Sequence, residues 1–385
     1  MRKRTKICYI LPEYSENTAG HFYHHYEFLR ELSKHLDIFL IIEKSDTNNV
    51  ELTNKFYIQK FRFIPFRFLE SFFALLKARF LGYRIFYTHI CYIGAINAGI
   101  ISRIFGGKSY YWNCAMNWLF KQRTLPGLGY KLSLKLSHYL VTGSKIMKQG
   151  YSEHYNLSPQ KIKIMPNWIN LNRFSRSRRT QIAAQKDAEF SVDSRSHQRK
   201  SAKPKVLLFV HWLSKRKGAD MIVPIMNNLK FKRPGAIPPN KNLNLMVIGD
   251  GPYKEKLLEE IEKNKLKNFI IVVGAVPNKD LVEYYAKADL FIMPSMEEGF
   301  PRVLLEAMAM GIPYIASDVG AVREISPETA QRFLVKPGDI EMFAHKIETL
   351  LSDKELYNSF RKEELEKVKE YSLDKIVNKF IKLFK

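Results

Sequence analysis

The chain has 385 residues, long enough for two domains with separate cores, and its 46% hydrophobic and 26% charged content excludes wholesale disorder. Its charge is lopsided, with 62 Lys and Arg against 38 Asp and Glu and a formal net charge of +24. Residues 1–170 hold 24 basic and 10 acidic side chains and residues 206–385 hold 28 and 25, so the first half and the stretch between carry the excess, which calls for an anionic partner.

The N-terminal MRKRTKICYIL has a basic start, but its apolar run is too short for a signal peptide and reads as a first strand, 6–11. An amphipathic helix over 21–36 follows, then strands at 37–42, 84–90, 109–114 and 138–144. Strands alternating with helices imply a parallel sheet. Residues 54–84 interleave Lys and Arg with Phe, Leu and Tyr; helical windows here have a broad apolar face and a basic rim, suited to an anionic bilayer surface. An ordinary core-facing helix with solvated charges is the plainer alternative. The longest weakly polar run, 90–102, is too short to span a bilayer.

The stretch IKIMPNWIN closes the first half at 170. Residues 171–204 are polar and rich in Ser and Arg, and read as a basic linker or insertion. A second series follows, with strands at 205–210, 244–250, 268–274, 289–295 and 313–318 and a Pro/Gly-rich surface loop at 233–242. Its near-continuous apolar runs suit parallel strands covered on both faces. Residues 205–360 form the second domain and 361–385 a C-terminal helix that is a candidate to pack back on the first.

Cys8, Cys91 and Cys114 lack CxxC spacing, which argues against a disulfide framework or zinc site and for a reducing cytosol. His21, His24 and His25 cluster without an acidic fourth partner on one face, so they read as surface or core histidines. The sequon Asn156-Leu157-Ser158 has no role in a cytosolic chain. No RNA-binding module pattern is present, which sets nucleic acid aside.

In open parallel sheets, ligands bind beyond the carboxyl ends of the strands. EEGFPRVLLEAMAMG (297–311) follows such a strand and places Glu306 inside a Val, Leu, Ala and Met segment, where an ionised group needs a partner. Gly299 lets backbone approach a ligand, and a helix start near Pro301 presents free N–H groups suited to phosphate. A sugar hydroxyl could partner Glu306, and so could a neighbouring Arg or Lys.

The pattern E-G-F-x5-E-A-M-A-x-G-x-P, followed by ASDVGAVREI, resembles the E-x7-E signature of retaining family 4 glycosyltransferases. LFVHWLSKRKGAD (208–220), VIGDGPYKEKL (247–257), VGAVPNKDLVEYYAKADLFIMPS (273–295) and IKIMPNWINLNRF (162–174) resemble further motifs of that family, in its order. The resemblance implies a GT-B architecture: an α/β fold of two doubly wound Rossmann-like domains facing each other across a cleft. It also implies roles for single residues. Glu298 would hold hydroxyls of the transferred sugar, and backbone amides around Gly299 and Phe300 would lie near the phosphates. Glu306 would bind the ribose, Lys217 the diphosphate, and Gly249 of the I-G-D-G-P motif would border the donor. Gly20, in ENTAGHF, matches a glycine that admits phosphate and acceptor, and His89 matches the second His of an H-x-H element.

Two departures stand out. Trp212 replaces an Arg five residues before Lys217, with Arg216 able to supply the charge, and Asn113 stands where a His near the reacting sugar is expected. The implied reaction needs no metal and no cofactor beyond a nucleotide-sugar substrate, UDP- or GDP-linked. The leaving phosphate would help deprotonate the acceptor, a lipid-linked glycan, glycolipid or polysaccharide precursor, on the cytoplasmic face of the membrane. A hydrolase pair of carboxylates is disfavoured because Glu306 is helical and packed among apolar residues. A catalytically silent glycan- or lipid-binding protein of the same build is the main alternative. An epimerase or phosphorylase is the third, though no pyridoxal-binding Lys stands out.

Overall fold

The computed structural model describes residues 4–15, 23–119, 124–175, 204–230 and 243–384. The chain forms two compact units, residues 1–167 with 373–385, and residues 168–372.

In the first unit, strands β1 (Lys6–Leu11), β2 (Asp37–Ile42), β3 (Phe56–Ile58), β4 (Ile85–His89), β5 (Lys108–Trp112), β6 (Tyr139–Thr142) and β7 (Ile162–Ile164) make one sheet in the order β3-β2-β1-β4-β5-β6-β7. Every pairing is parallel. Ile7 to Leu11 are all buried because helices cover both faces of the central strand, which leaves no side for polar alternation. The second unit holds β8 (Lys205–Val210), β9 (Leu243–Ile248), β10 (Ile270–Gly274), β11 (Leu290–Met293), β12 (Tyr314–Ser317) and β13 (Leu334–Val335), also parallel, in the order β10-β9-β8-β11-β12-β13. Two doubly wound Rossmann-like sheets are thus present, as the alternation of elements implied. Strands β3, β7 and β13 were not anticipated, being too short to show periodicity.

Helices α1 (Tyr23–Ser33), α2 (Ile64–Phe80) and α3 (Tyr92–Ile104) flank the first sheet. Residues 54–84, in which helical windows were expected, supply β3 and then α2, which has Pro65 in its first turn and Lys77 and Arg79 in its last. His24 and His25 lie in the core, at 3% and 1% exposure. His21 lies outside the described residues.

Both domain boundaries shift. The expected break at 170 moves to 167/168 because Trp168, Ile169 and Phe174 are buried, the last with its ring centroid 5.9 Å from that of Tyr285. Arg173 also donates to the Asn278 amide oxygen at 3.1 Å, so 168–175 belongs to the second unit. Residues 176–203 of the expected linker and the loop at 233–242 lie outside the described residues.

The expected C-terminal helix from 361 is two helices, Lys354–Lys367 and Leu373–Lys382, and only the second belongs to the first unit. Its Ile376, Val377 and Phe380 are buried, and the Phe380 ring lies edge-on to Phe28 at 5.1 Å and to Tyr87 at 4.7 Å. Phe380→Ala leaves a cavity in that cluster and is expected to lower unfolding free energy by about 3–5 kcal/mol, measured by urea denaturation. A loss under about 1 kcal/mol would show that this helix adds nothing to the first core.

Candidate functional site

In the second sheet the strand order reverses between β8 and β11, the switch point where ligand crevices form in open α/β sheets. The loops that leave these two strands meet there through buried charge.

Glu298, after β11, is 6% exposed. Its Oε2 lies 2.9 Å from the Lys217 ammonium, which also donates to the Glu297 carbonyl at 3.3 Å. Its Oε1 accepts from Ser295 Oγ at 2.9 Å and from His211 Nε2 at 2.8 Å. The Trp212 N–H donates to His211 Nδ1 at 2.9 Å, which leaves the imidazole proton on Nε2, aimed at the carboxylate. Burial pushes the Glu298 pKa up, but attraction and hydrogen bonds from His211 and Lys217 outweigh it and hold the group at about 2. Glu298 is therefore ionised throughout the physiological range.

A second ion pair ties the same loops, Arg216 Nε to Glu297 Oε1 at 3.0 Å, and the Met296 N–H donates to the Arg216 carbonyl at 3.0 Å. Burial, with Glu298 alongside, raises the Glu297 pKa against the pull of Arg216 and Lys217. Two glycines let the loops after β9 and β12 pack against these two. Gly249 has φ +137°, and a Cβ there would strike the carbonyl of His211; Gly320 has φ +53°, and its Cβ would strike the carbonyl of Glu298. The structure thus gives Gly249 a packing role beside His211. Gly299 accepts from the Ala321 N–H at 3.0 Å, and Phe300 is 7% exposed with its ring 5.7 Å from Tyr371. Pro301 is the cap of the Arg302–Ala309 helix rather than its first residue.

Glu306 has its own partners. It is 2% exposed; Oε2 accepts from the Tyr285 hydroxyl at 2.9 Å, and Oε1 lies 3.5 Å from Arg302 Nη2. The neighbouring-cation alternative therefore answers why a carboxylate sits among apolar residues: Arg302 and Tyr285 satisfy it from within the unit. The long Arg302 contact is the weaker of the two.

In the first unit, His89 ends β4 at 1% exposure, its ring stacked on Trp112 at 4.2 Å and 3.7 Å from that of His25. Ile90 follows at φ +63°, an unusual conformation for a β-branched residue, held by the Trp112 carbonyl that accepts its N–H and by the Tyr111 hydroxyl on its own carbonyl. Asn113, 5% exposed, does not present a free amide. Its Oδ1 accepts from Tyr151 and from the Ala115 N–H, both at 2.9 Å, and its Nδ2 donates to Tyr111 at 3.2 Å. The side chain organises a buried network. Gly20 lies outside the described residues. Trp212 is 58% exposed.

Residues 192–367 match the family model of Glycosyl transferases group 1. Among curated proteins, the sulfoquinovosyl transferase SQD2 of Arabidopsis thaliana is 33% identical over 159 residues, 40% of this chain and 29% of that protein. TuaC of Bacillus subtilis, a putative teichuronic acid biosynthesis glycosyltransferase, is 29% identical over 184 residues, 48% of this chain and 40% of that protein. The chain thus spans less than half the length of these relatives. By fold it resembles HepE of Anabaena, solved with UDP and glucose, at TM-score 0.76 and 16% identity over 99% of both chains. Sucrose-phosphate synthase of Thermosynechococcus elongatus gives TM-score 0.76 and 18% identity over 99% of this chain and 98% of that one. The fold class is the one the motifs implied, two parallel-sheet Rossmann-like domains with GT-B glycosyltransferases as structural neighbours.

Lys217, Arg216 and Glu298 come together, whereas His211 and Ser295, which bond Glu298, and Tyr285, which bonds Glu306, were missed. Only His211 left a signal, a polar residue at the carboxyl end of the apolar run LLFV. A carboxylate held below its ordinary value of 4.5 stabilises the fold above that pH and loses the contribution as pH falls toward about 2. Comparing wild type with Glu298→Gln by urea denaturation, a stability gap of about 3 kcal/mol is expected at neutral pH, shrinking between pH ~4.5 and ~2. A gap independent of pH would contradict the pairing.

Proposed function

We propose that the protein is a glycosyltransferase that binds a nucleotide-sugar in its second unit and transfers the sugar, with retention and without a metal, to a lipid-linked or glycan acceptor bound by the basic first unit. The carrying observation is the Glu298–Lys217–His211 cluster at the switch point of a domain that matches the Glycosyl transferases group 1 model. HepE, similar in fold, was solved with UDP and with UDP-glucose, and this supports a uridine-linked donor, with a guanosine-linked one the other choice. The similarity to TuaC, and to WaaG, a glycosyltransferase involved in lipopolysaccharide biosynthesis, supports a surface-glycan precursor as acceptor.

In this reading the donor competes for groups that now pair with one another. Lys217, with the adjacent Lys215 and Arg216, takes the diphosphate and stabilises the charge that grows on the departing nucleotide. Glu298, released on its Oε2 side and still held by His211 and Ser295 on the other, accepts hydroxyls of the sugar. Glu306 takes the ribose hydroxyls by displacing its long contact to Arg302 while Tyr285 keeps its place. The leaving phosphate then accepts the acceptor's proton on the face from which it departs. His89 lines the acceptor side in the first unit and Asn113 braces the strand ends there.

The silent-binder reading draws support from the occupied amide of Asn113 and the exposed Trp212. The two are separated by titrating UDP-, GDP- and ADP-sugars calorimetrically and then assaying turnover in chelator. Lys217→Ala is expected to weaken the preferred donor at least about tenfold, about 1.4 kcal/mol, and Glu306→Gln by a similar factor. Unchanged affinities would remove the donor site. Donor binding without turnover would select the silent reading, and an inverted anomeric carbon in the product, read by NMR, would overturn retention.

The acceptor side is proposed to work at an anionic membrane surface on the cytoplasmic face. Among the described residues no helix is long and apolar enough to cross a membrane. The basic first half and the aromatic residues around α2 support peripheral binding.

A further inference from the structure

Helix α2 is apolar on two sides. Ser71, Ala74, Leu75 and Ala78 are buried, while Phe66, Leu69, Phe73 and Phe80 recur at helical spacing on the outer side at 55%, 52%, 62% and 73% exposure. The loop before the helix adds Phe61 and Phe63, each with its ring 5.7 Å from Phe66. A surface helix ordinarily turns polar residues outward, so an aromatic stripe this continuous marks a surface with a partner.

Beside the stripe lies a cavity of about 440 Å³, walled by Phe39, Tyr57, Phe61, Phe66, Leu69 and Phe73. Glu70 also borders it, but its oxygens accept from the Tyr57 hydroxyl at 2.9 Å and from the N–H groups of Lys60 and Phe61 at 2.8 and 3.1 Å. The carboxylate therefore closes the β3–α2 turn rather than serving a ligand. What remains is hydrocarbon wall with one ammonium, Lys77, at the rim. Residues 54–84 hold seven basic side chains against Glu70 alone.

We propose that this cavity takes the hydrocarbon tail of an anionic lipid, while Lys77, Lys60 and Arg62 meet its phosphate-bearing headgroup. The proposal rests on the membrane-surface part of the functional reading and is independent of the donor site. Apolar walls leave the polar groups of a sugar, nucleotide or peptide backbone unpaired, whereas an alkyl chain asks for none. The cationic rim selects a negatively charged head, and a net charge of +24 opposes docking of a second copy of the chain.

The test uses the full chain with dansyl-undecanoic acid as a fluorescent probe and phosphatidylglycerol–phosphatidylcholine vesicles. Saturable probe binding, one per chain, is expected, with Phe73→Ser weakening it about tenfold or more. Phe80→Ser, on the same stripe but outside the cavity wall, is expected to keep probe binding. Both substitutions are expected to reduce vesicle flotation, less so in high salt. Probe binding that does not saturate, ignores Phe73→Ser, or falls equally with Phe80→Ser would overturn the cavity as a tail site. A concentration-dependent dimer in sedimentation velocity, dissolved by Phe73→Ser in a chain that binds no probe, would assign the face to self-association and overturn it too. UDP-glucose affinity is expected to be unchanged by Phe73→Ser, so either reading can fail without the other.

Discussion

The second unit is arranged around one constraint: a carboxylate at 6% exposure must stay ionised. Desolvation alone would neutralise it, and the same unit shows this elsewhere. Glu364, fully buried on the Lys354–Lys367 helix, has no hydrogen-bond partner for either oxygen among the described residues, and burial pushes its pKa well above the ordinary range. Glu298 goes the other way because an ammonium, an imidazole N–H and a hydroxyl converge on it from two loops. Deleting one partner of such a set leaves buried charge uncompensated, so these positions are bound to one another chemically. Gly249 and Gly320, after β9 and β12, let backbone pack against the carbonyls of His211 and Glu298, where a Cβ would strike.

The legible parts of the sequence were those with local repetition. Parallel strands covered on both faces leave continuous apolar runs, and the central strands of each sheet were visible as such. A strand of two or three residues leaves no such trace. Composition suggested a linker from 171, but it could not show that Trp168 and Phe174 are buried, the latter against Tyr285, distant in sequence. The C-terminal helix shows its apolar face plainly, but the partners of its Phe380, Phe28 and Tyr87, lie more than 290 residues before that side chain.

The site divided along the same line. A carboxylate inside an apolar helix announces that it needs a partner, but the sequence cannot say which, because Tyr285 stands on another helix 21 residues before Glu306. Arg302 was within reach of inspection, at i−4 on the same face. Asn113 shows the converse. The family resemblance set it where a sugar-facing His is expected; in the structure its oxygen accepts from Tyr151 and the Ala115 N–H and its nitrogen donates to Tyr111. Hydrogen-bond capacity is finite, and only coordinates reveal how much of it the fold already consumes.

That finite capacity also bears on the choice of ligand. Lys217 and Glu298 neutralise each other at 2.9 Å, so a ligand that brings only an anion would win the ammonium while stranding the carboxylate. A ligand that brings only hydroxyls has the mirror-image problem. A molecule that carries a diphosphate with a polyol a few bonds away satisfies both halves of the broken pair at once, while His211 and Ser295 keep the carboxylate from swinging away. Nucleotide sugars have this constitution. On the proposed donor reading, such a ligand replaces both partners of the ion pair.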